Sequence, residues 1–174
     1  MDGAFTHVAG GIGAPSALRA RVLAVSALLL AIGWAFSPAG LFTVDEYFYL
    51  RAADAMAHEG AFHFRQFDVK DAPSLDMTFA KPADAPGRLV AQYPAGHALI
   101  AAPFFLLFGV KGLMLLNAAA AFVCLWLTHR VASRVGSDAQ IAVFAVLLLA
   151  VAGYWSSFAF AVWPHMLALA FFLA

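Results

Sequence analysis

Two adjacent carboxylates, Asp45 and Glu46, stand in Thr43-Val44-Asp45-Glu46-Tyr47, directly after an apolar run that ends near Phe42. A carboxylate at a membrane exit meets a lower dielectric, where its pKa can rise, and such a group can serve as a base. A base placed there reaches a lipid-anchored substrate whose reactive group lies at headgroup depth. The bland account is also physical: Thr-x-x-Glu is a capping box, and acids favour the first turn of a helix. Capping explains Glu46 better than Asp45, so Asp45 is the stronger candidate for chemistry.

His165 follows Trp163-Pro164 and is the next candidate, since imidazole binds metals or phosphates and shuttles protons. Its alternative is an interfacial histidine beside a belt tryptophan. Lys81 and Arg88 have the charge to hold a phosphate, although cations in loops are commonly just solvated. Tyr93 and His97, in Tyr93-Pro94-Ala95-Gly96-His97, share that ambiguity as substrate contacts. Asn117, inside an apolar stretch, is expected to hydrogen-bond a neighbouring helix. No His/Cys/Asp grouping has metal-site spacing, and His58 and His63 fall on either side of Gly60, which leaves Asp45 and His165 as the candidate metal ligands. Gly-x-Ser-x-Gly, a Walker loop and nucleic-acid signatures are absent, and Ala9-Gly10-Gly11-Ile12-Gly13 lacks the spacing of a nucleotide loop.

The elements that must position these residues follow from composition. Of 174 residues 64% are hydrophobic and only 11% charged, against about 25% charged in soluble domains. Eight of ten acids lie between Asp45 and Asp84, and five of ten Lys/Arg between Arg51 and Arg88, so that window is the aqueous part. Zero net charge gives no argument for nucleic acid. Cys124 is the only cysteine, sits in an apolar run and reads as a buried thiol. The pattern predicts a disordered cytoplasmic tail over 1–18 and spans at about 19–42, 110–130, 139–160 and 164–174. Between the first two lie an external loop at 43–92 and a re-entrant or interfacial helix at 94–108, too short to cross. Residues 19–42 also compete with a signal peptide, which the long preceding segment and the later spans disfavour. In the loop, Phe48, Ala52, Ala55 and Met56 form an apolar stripe on a helix ending at Gly60. The segment after that glycine, broken by Pro73, Pro82, Pro86 and Gly87, reads as irregular. Arg19, Arg21, Arg130 and Arg134 favour the cytoplasmic side, which puts the Asp45 loop in a periplasm-like space. An end inside an apolar helix suggests a longer protein.

The order of these features resembles the GT-C class of membrane glycosyltransferases, nearest to protein O-mannosyltransferases, aminoarabinose transferases and rhizobial galacturonosyltransferases. The likeness rests on Thr-Val-Asp-Glu-Tyr-Phe-Tyr after a first span, on Gln92 to His97 leading into Ala101 to Gly109, on Leu116 to Ala132, and on Trp163 to Leu167. It covers residues from about Arg19 onward, the N-terminal portion of such an enzyme, so the fragment alone is not expected to be active. The resemblance implies an all-α multi-pass bundle in the bacterial inner membrane, a polyprenyl-phosphate sugar donor, a lipid, glycan or protein acceptor, and inversion at the anomeric carbon. Asp45 would be the base, with Glu46 supporting it, and Lys81 or Arg88 would meet the leaving phosphate. A divalent metal is possible in the family, but His165 stands where some members carry an acid. The competing readings are a multi-pass transporter and a non-catalytic membrane subunit.

Overall fold

The computed structural model describes residues 14–41, 43–65, 80–82, 88–91, 93–135, 139–151 and 155–174. These residues are mostly helical. Two helices, Ala17–Phe36 and Val110–Val135, are long and apolar enough to cross a membrane. At 1.5 Å per residue each matches or exceeds the roughly 30 Å of a hydrocarbon core. The first of them lies in α1 (Ala14–Phe36). α1 exposes most of its apolar surface, with Leu28 and Leu29 both about 60% exposed, as expected of a helix whose solvent is not water.

α1 starts at Ala14 rather than at 19, and it stops at Phe36, short of 42. Ser37 N–H closes the last turn on Gly33 O at 2.8 Å, and Pro38 cannot continue the ladder. Of the tail expected over 1–18, residues 14–18 belong to α1, and 1–13 lie outside the described residues.

α2 (Val44–Glu59) starts and ends where local chemistry dictates. Thr43 Oγ1 accepts from Glu46 N–H at 3.3 Å, and Glu46 Oε2 accepts from Thr43 N–H at 3.0 Å, the reciprocal capping box. Gly60 closes the helix at φ 62°, a left-handed conformation that costs glycine little. The buried stripe differs from the expected one: Phe48, Tyr49, Ala53 and Ala55 are buried, while Ala52 and Met56 are half-buried. The reason is that α2 is covered on two sides. Phe48 and Ala55 pack under a sheet, whereas Tyr49 and Ala53 pack on a helix.

That sheet corrects the reading of the segment after Gly60 as irregular. Strands β1 (His63–Arg65), β2 (Ala80–Pro82) and β3 (Arg88–Ala91) form an antiparallel sheet in the order β1-β3-β2. His63 pairs with Val90 and Arg65 with Arg88, and Lys81 pairs with Val90 on the other side. Phe64 and Leu89, each 2% exposed, face α2. Pro82 is tolerated because it ends an edge strand. Pro73, Pro86 and Gly87 lie outside the described residues.

α3 (Ala95–Phe108) has 14 residues, about 21 Å, too short to cross. It runs alongside α2 in the same direction, Tyr49 meeting Tyr93 and His97 near one end and His58 meeting Phe105 near the other. Gly109, at φ 58°, joins it directly to α4 (Val110–Val135), the second helix of membrane-crossing length. There the helices come very close: a Cβ on Gly112 would lie 1.9 Å from Phe104 O. Gly112→Ala must push α3 off α4, an overpacking that costs about 1–3 kcal/mol. The expected result is a lower unfolding midpoint in detergent, by roughly 2–4 °C per kcal/mol.

α1 lies antiparallel on α4. Leu30 packs on Ala120 and Ala121, where small side chains allow close approach. Further along, Trp34 Nε1 donates to Lys111 O at 2.9 Å, and Lys111 Nζ returns to Trp34 O at 2.7 Å and to Ser37 O. Lys111 thereby caps the negative end of α1. This pairing puts Arg19, Arg21, Arg130 and Arg134 at one end of the helix pair and Lys111 at the other.

The expected third and fourth spans take another form. Residues 139–160 hold α5 (Ala139–Val151) and α6 (Trp155–Ala159), with 152–154 outside the described residues, and α7 (His165–Leu173) has only nine residues. Between α6 and α7 the chain makes a corner at 160–164. Asn117, fully buried in α4, donates through Nδ2 to Ala161 O and Trp163 O. The expected polar contact is made, but to carbonyls of the corner rather than to a neighbouring helix.

Candidate active site

The two neighbouring carboxylates do different work. Glu46 is 1% exposed. Besides closing the capping box through Oε2, it accepts the Val162 N–H at Oε1, 2.9 Å away. Trp163 Nε1 donates to Thr43 Oγ1 at 2.9 Å, a second tie between the start of α2 and the 161–163 corner. With both oxygens holding backbone N–H groups, Glu46 is a staple between the start of α2 and the 161–163 corner. Asp45 faces elsewhere. It is half-buried, and Tyr93 OH donates to its Oδ1 at 2.6 Å. Among the described residues nothing donates to Oδ2.

Tyr93 stacks on Tyr49 with ring centroids 4.5 Å apart, and Tyr49 meets His97 edge-on at 5.2 Å. Burial, then the hydrogen bond to Asp45, lift the Tyr93 pKa above the ordinary phenol range. Burial and the Asp45 charge also raise that of Tyr49. Both phenols therefore stay protonated, and Tyr93 remains a donor to the carboxylate. Tyr93, expected to contact substrate, donates to Asp45 and orients its carboxylate.

His97, the other substrate contact expected in this segment, is enclosed. It is buried in the first turn of α3, its Nδ1 has no hydrogen-bond partner among the described residues, and burial lowers its pKa from 6.5 to about 4. A neutral, enclosed imidazole does not hold a phosphate by charge. Because the folded pKa is depressed, the unfolded chain binds the extra proton between pH 6.5 and 4. Stability is then intact above pH 6.5 and falls as the pH drops through that window, by at most about 3 kcal/mol. His97→Phe should flatten the dependence of the unfolding midpoint on pH between 4 and 6.5.

Arg88 is not near this carboxylate's side of α2. It sits on the sheet face opposite Phe64 and Leu89, where Nη1 donates to His63 Nε2 at 2.7 Å. Lys81 belongs to β2 with its backbone registered on Val90. Sequence order alone makes these two cations candidates, and the sheet that carries Arg88 turns it away from α2.

His165 does lie at the Asp45 end. It stacks on Phe158 with centroids 4.6 Å apart and lies 4.9 Å from Trp163, whose indole reaches Thr43. Beside these rings is a groove of about 370 Å³, bounded by Ser37 beyond the α1 terminus, Thr43 and Glu46 of the α2 start, residues 156–158, Phe160, Ala161 and Trp163. Lys111, bonded to Ser37 O, is a cation at this end that sequence reasoning passes over. Its only signal is a lone lysine between Val110 and a glycine. Asp45 and His165 are the candidate metal ligands, yet no three His, Cys, Asp or Glu side chains converge among the described residues.

Compared with known proteins, the chain matches no family model, no curated protein and no solved structure.

Proposed function

We propose that this chain belongs to a multi-pass membrane glycosyltransferase that moves a sugar from a polyprenyl-phosphate donor to an acceptor at the periplasmic face of a bacterial inner membrane. The observation that carries this reading is Asp45, fixed by Tyr93 with Oδ2 clear of described donors, at the end of two membrane-length helices opposite their arginines. Clustering of Arg19, Arg21, Arg130 and Arg134 at the other end supports a cytoplasmic position for that end.

In the reaction, Asp45 Oδ2 takes the proton of the acceptor hydroxyl as its oxygen bonds to the anomeric carbon. The anomeric carbon–phosphate oxygen bond breaks on the opposite face, and its electron pair leaves with the lipid phosphate, giving inversion. Lys111, anchored beside Ser37 at the groove, supplies positive charge toward the developing phosphate.

Transport is the rival use of such helices, but it relies on ionisable groups near the bilayer midplane. No Asp, Glu, Lys or Arg occurs between Val22 and Phe36 or between Gly112 and Thr128. The test is to express the intact gene, supply the membranes with undecaprenyl-phosphate pyranoses labelled in the sugar, and follow the label. Label leaving the lipid for an acceptor, with sugar-free lipid phosphate appearing, supports the reading. Label that crosses the membrane still on its lipid sinks it in favour of a transporter.

A further inference from the structure

We infer that the seam between α1 and α4 holds an anionic phospholipid, its phosphate on Arg19 and Arg130 and an acyl chain in the groove between the two helices. Such a site needs these helices to cross a bilayer, and it is independent of the sugar-transfer reading. The groove, about 350 Å³, lies between Ala27, Leu30 and Ala31 of α1 and Ala118, Ala119 and Phe122 of α4. Those walls are hydrocarbon, and a cleft left empty forfeits its dispersion contacts, so in a bilayer a lipid chain fills it.

The two cations stand in line with this groove. Arg19 precedes Leu30 by eleven residues, and Arg130 follows Ala119 by eleven, about three helical turns in each case. Three turns return a residue to the same face, so both arginines start from the faces that line the groove. Because α1 and α4 are antiparallel, both also lie at one end of the seam. The separation along each axis is about 16 Å. One leaflet's half of a hydrocarbon core is about 15 Å, so a headgroup at the arginines sends the end of its chain into the groove. Arg19 is close enough to α4 for its charge to act on His129.

The headgroup end has the charge to match. Arg19 and Arg130 are exposed, and no carboxylate pairs with either among the described residues. Arg130 lies over the Trp126 ring, 5.0 Å from its centroid, a contact that leaves N–H donors for a phosphate. Indole also suits the headgroup boundary, and basic pockets between membrane helices bind anionic headgroups. A zwitterionic lipid brings a cation of its own toward the arginines and gains less. Arg21 separates such a site from a general excess of positive charge. Two residues from Arg19, it lies about 200° around α1, away from the seam.

The test titrates the intact gene product in detergent with dioleoyl phosphatidylglycerol or dioleoyl phosphatidylcholine and counts bound lipid by native mass spectrometry. Phosphatidylglycerol should bind about tenfold tighter, a difference of about 1.4 kcal/mol. Arg19→Gln combined with Arg130→Gln should abolish that preference, whereas Arg21→Gln should keep it. Ala27→Phe fills the groove from an exposed position and should weaken both lipids several-fold with their ratio unchanged. Ala27→Leu, a smaller filling, should do the same to a lesser degree and guards against a folding defect in the phenylalanine variant. Equal binding of the two lipids by the wild type would overturn the proposal. So would a preference lost as fully in Arg21→Gln as in the double variant, which would reduce the arginines to diffuse charge. Unchanged binding in both Ala27 variants would leave the chain outside the groove, and displacement of phosphatidylglycerol by millimolar inorganic phosphate would mark a bare anion site; either result also overturns it.

Discussion

Asp45→Asn is expected to reduce sugar transfer by about 10²- to 10⁴-fold, the usual contribution of a general base, while the protein folds and inserts as before. The substitution removes one property only. Asn has the shape of Asp, and its carbonyl oxygen still accepts from Tyr93 OH, which reaches Oδ1 at 2.6 Å. What is lost is the capacity to take the acceptor's proton. Asp45 is half-buried and is not part of the staple to Val162, which Glu46 makes. The unfolding midpoint should therefore stay within about a degree or two, as for substitutions away from buried networks. The measurement is the initial transfer rate from an undecaprenyl-phosphate pyranose, with the unfolding midpoint measured on the same preparation. A variant that folds and transfers at the wild-type rate would leave Asp45 as a helix-start residue and remove the base from the scheme.

The part of this fold legible in the sequence is the local part. Thr43, Glu46 and Gly60 announce the two ends of α2 because capping acts over three or four residues, and the chain folds there as its sequence says. The long apolar runs give α1 and α4 by length, again without reference to the rest of the molecule. Failures begin where a contact spans the chain. Val162 lies 116 positions from Glu46, and nothing near either residue announces the bond between them. The three strands are too short, at three or four residues, for alternation to stand out against nearby prolines. Without them Arg88 reads as a free loop cation, when the sheet holds it against His63. The buried stripe of α2 is misread for the same reason: a helix covered by a sheet on one side and a helix on another buries a wider arc than a single face. Within the candidate site, Asp45 is legible and its partner is not. Tyr93 is 48 positions away, and only the parallel pairing of α2 and α3 brings its hydroxyl to the carboxylate.

Glu46→Ala should have the opposite profile to Asp45→Asn, although the two residues are adjacent. Two backbone N–H groups, those of Thr43 and Val162, lose their acceptor, and the one at Val162 is in a fully buried residue. The unmet buried donor at Val162 costs about 1–3 kcal/mol, and loss of the capping box, which is the bond to Thr43, adds about 1 kcal/mol. A total of about 2–4 kcal/mol corresponds to an unfolding midpoint lower by roughly 4–16 °C in a chain of this size. Glu46→Gln should recover part of the loss, since its amide retains one acceptor oxygen but turns a donor toward the other N–H. The staple fixes the 161–163 corner, and that corner carries Trp163, whose indole reaches Thr43 beside the groove. Transfer by Glu46→Ala, measured well below its midpoint and scaled to folded protein, should therefore fall mainly through a weaker KM for the donor. A fall in kcat comparable to that of Asp45→Asn, with the midpoint unchanged, would instead make Glu46 the proton acceptor and reverse the roles of the pair.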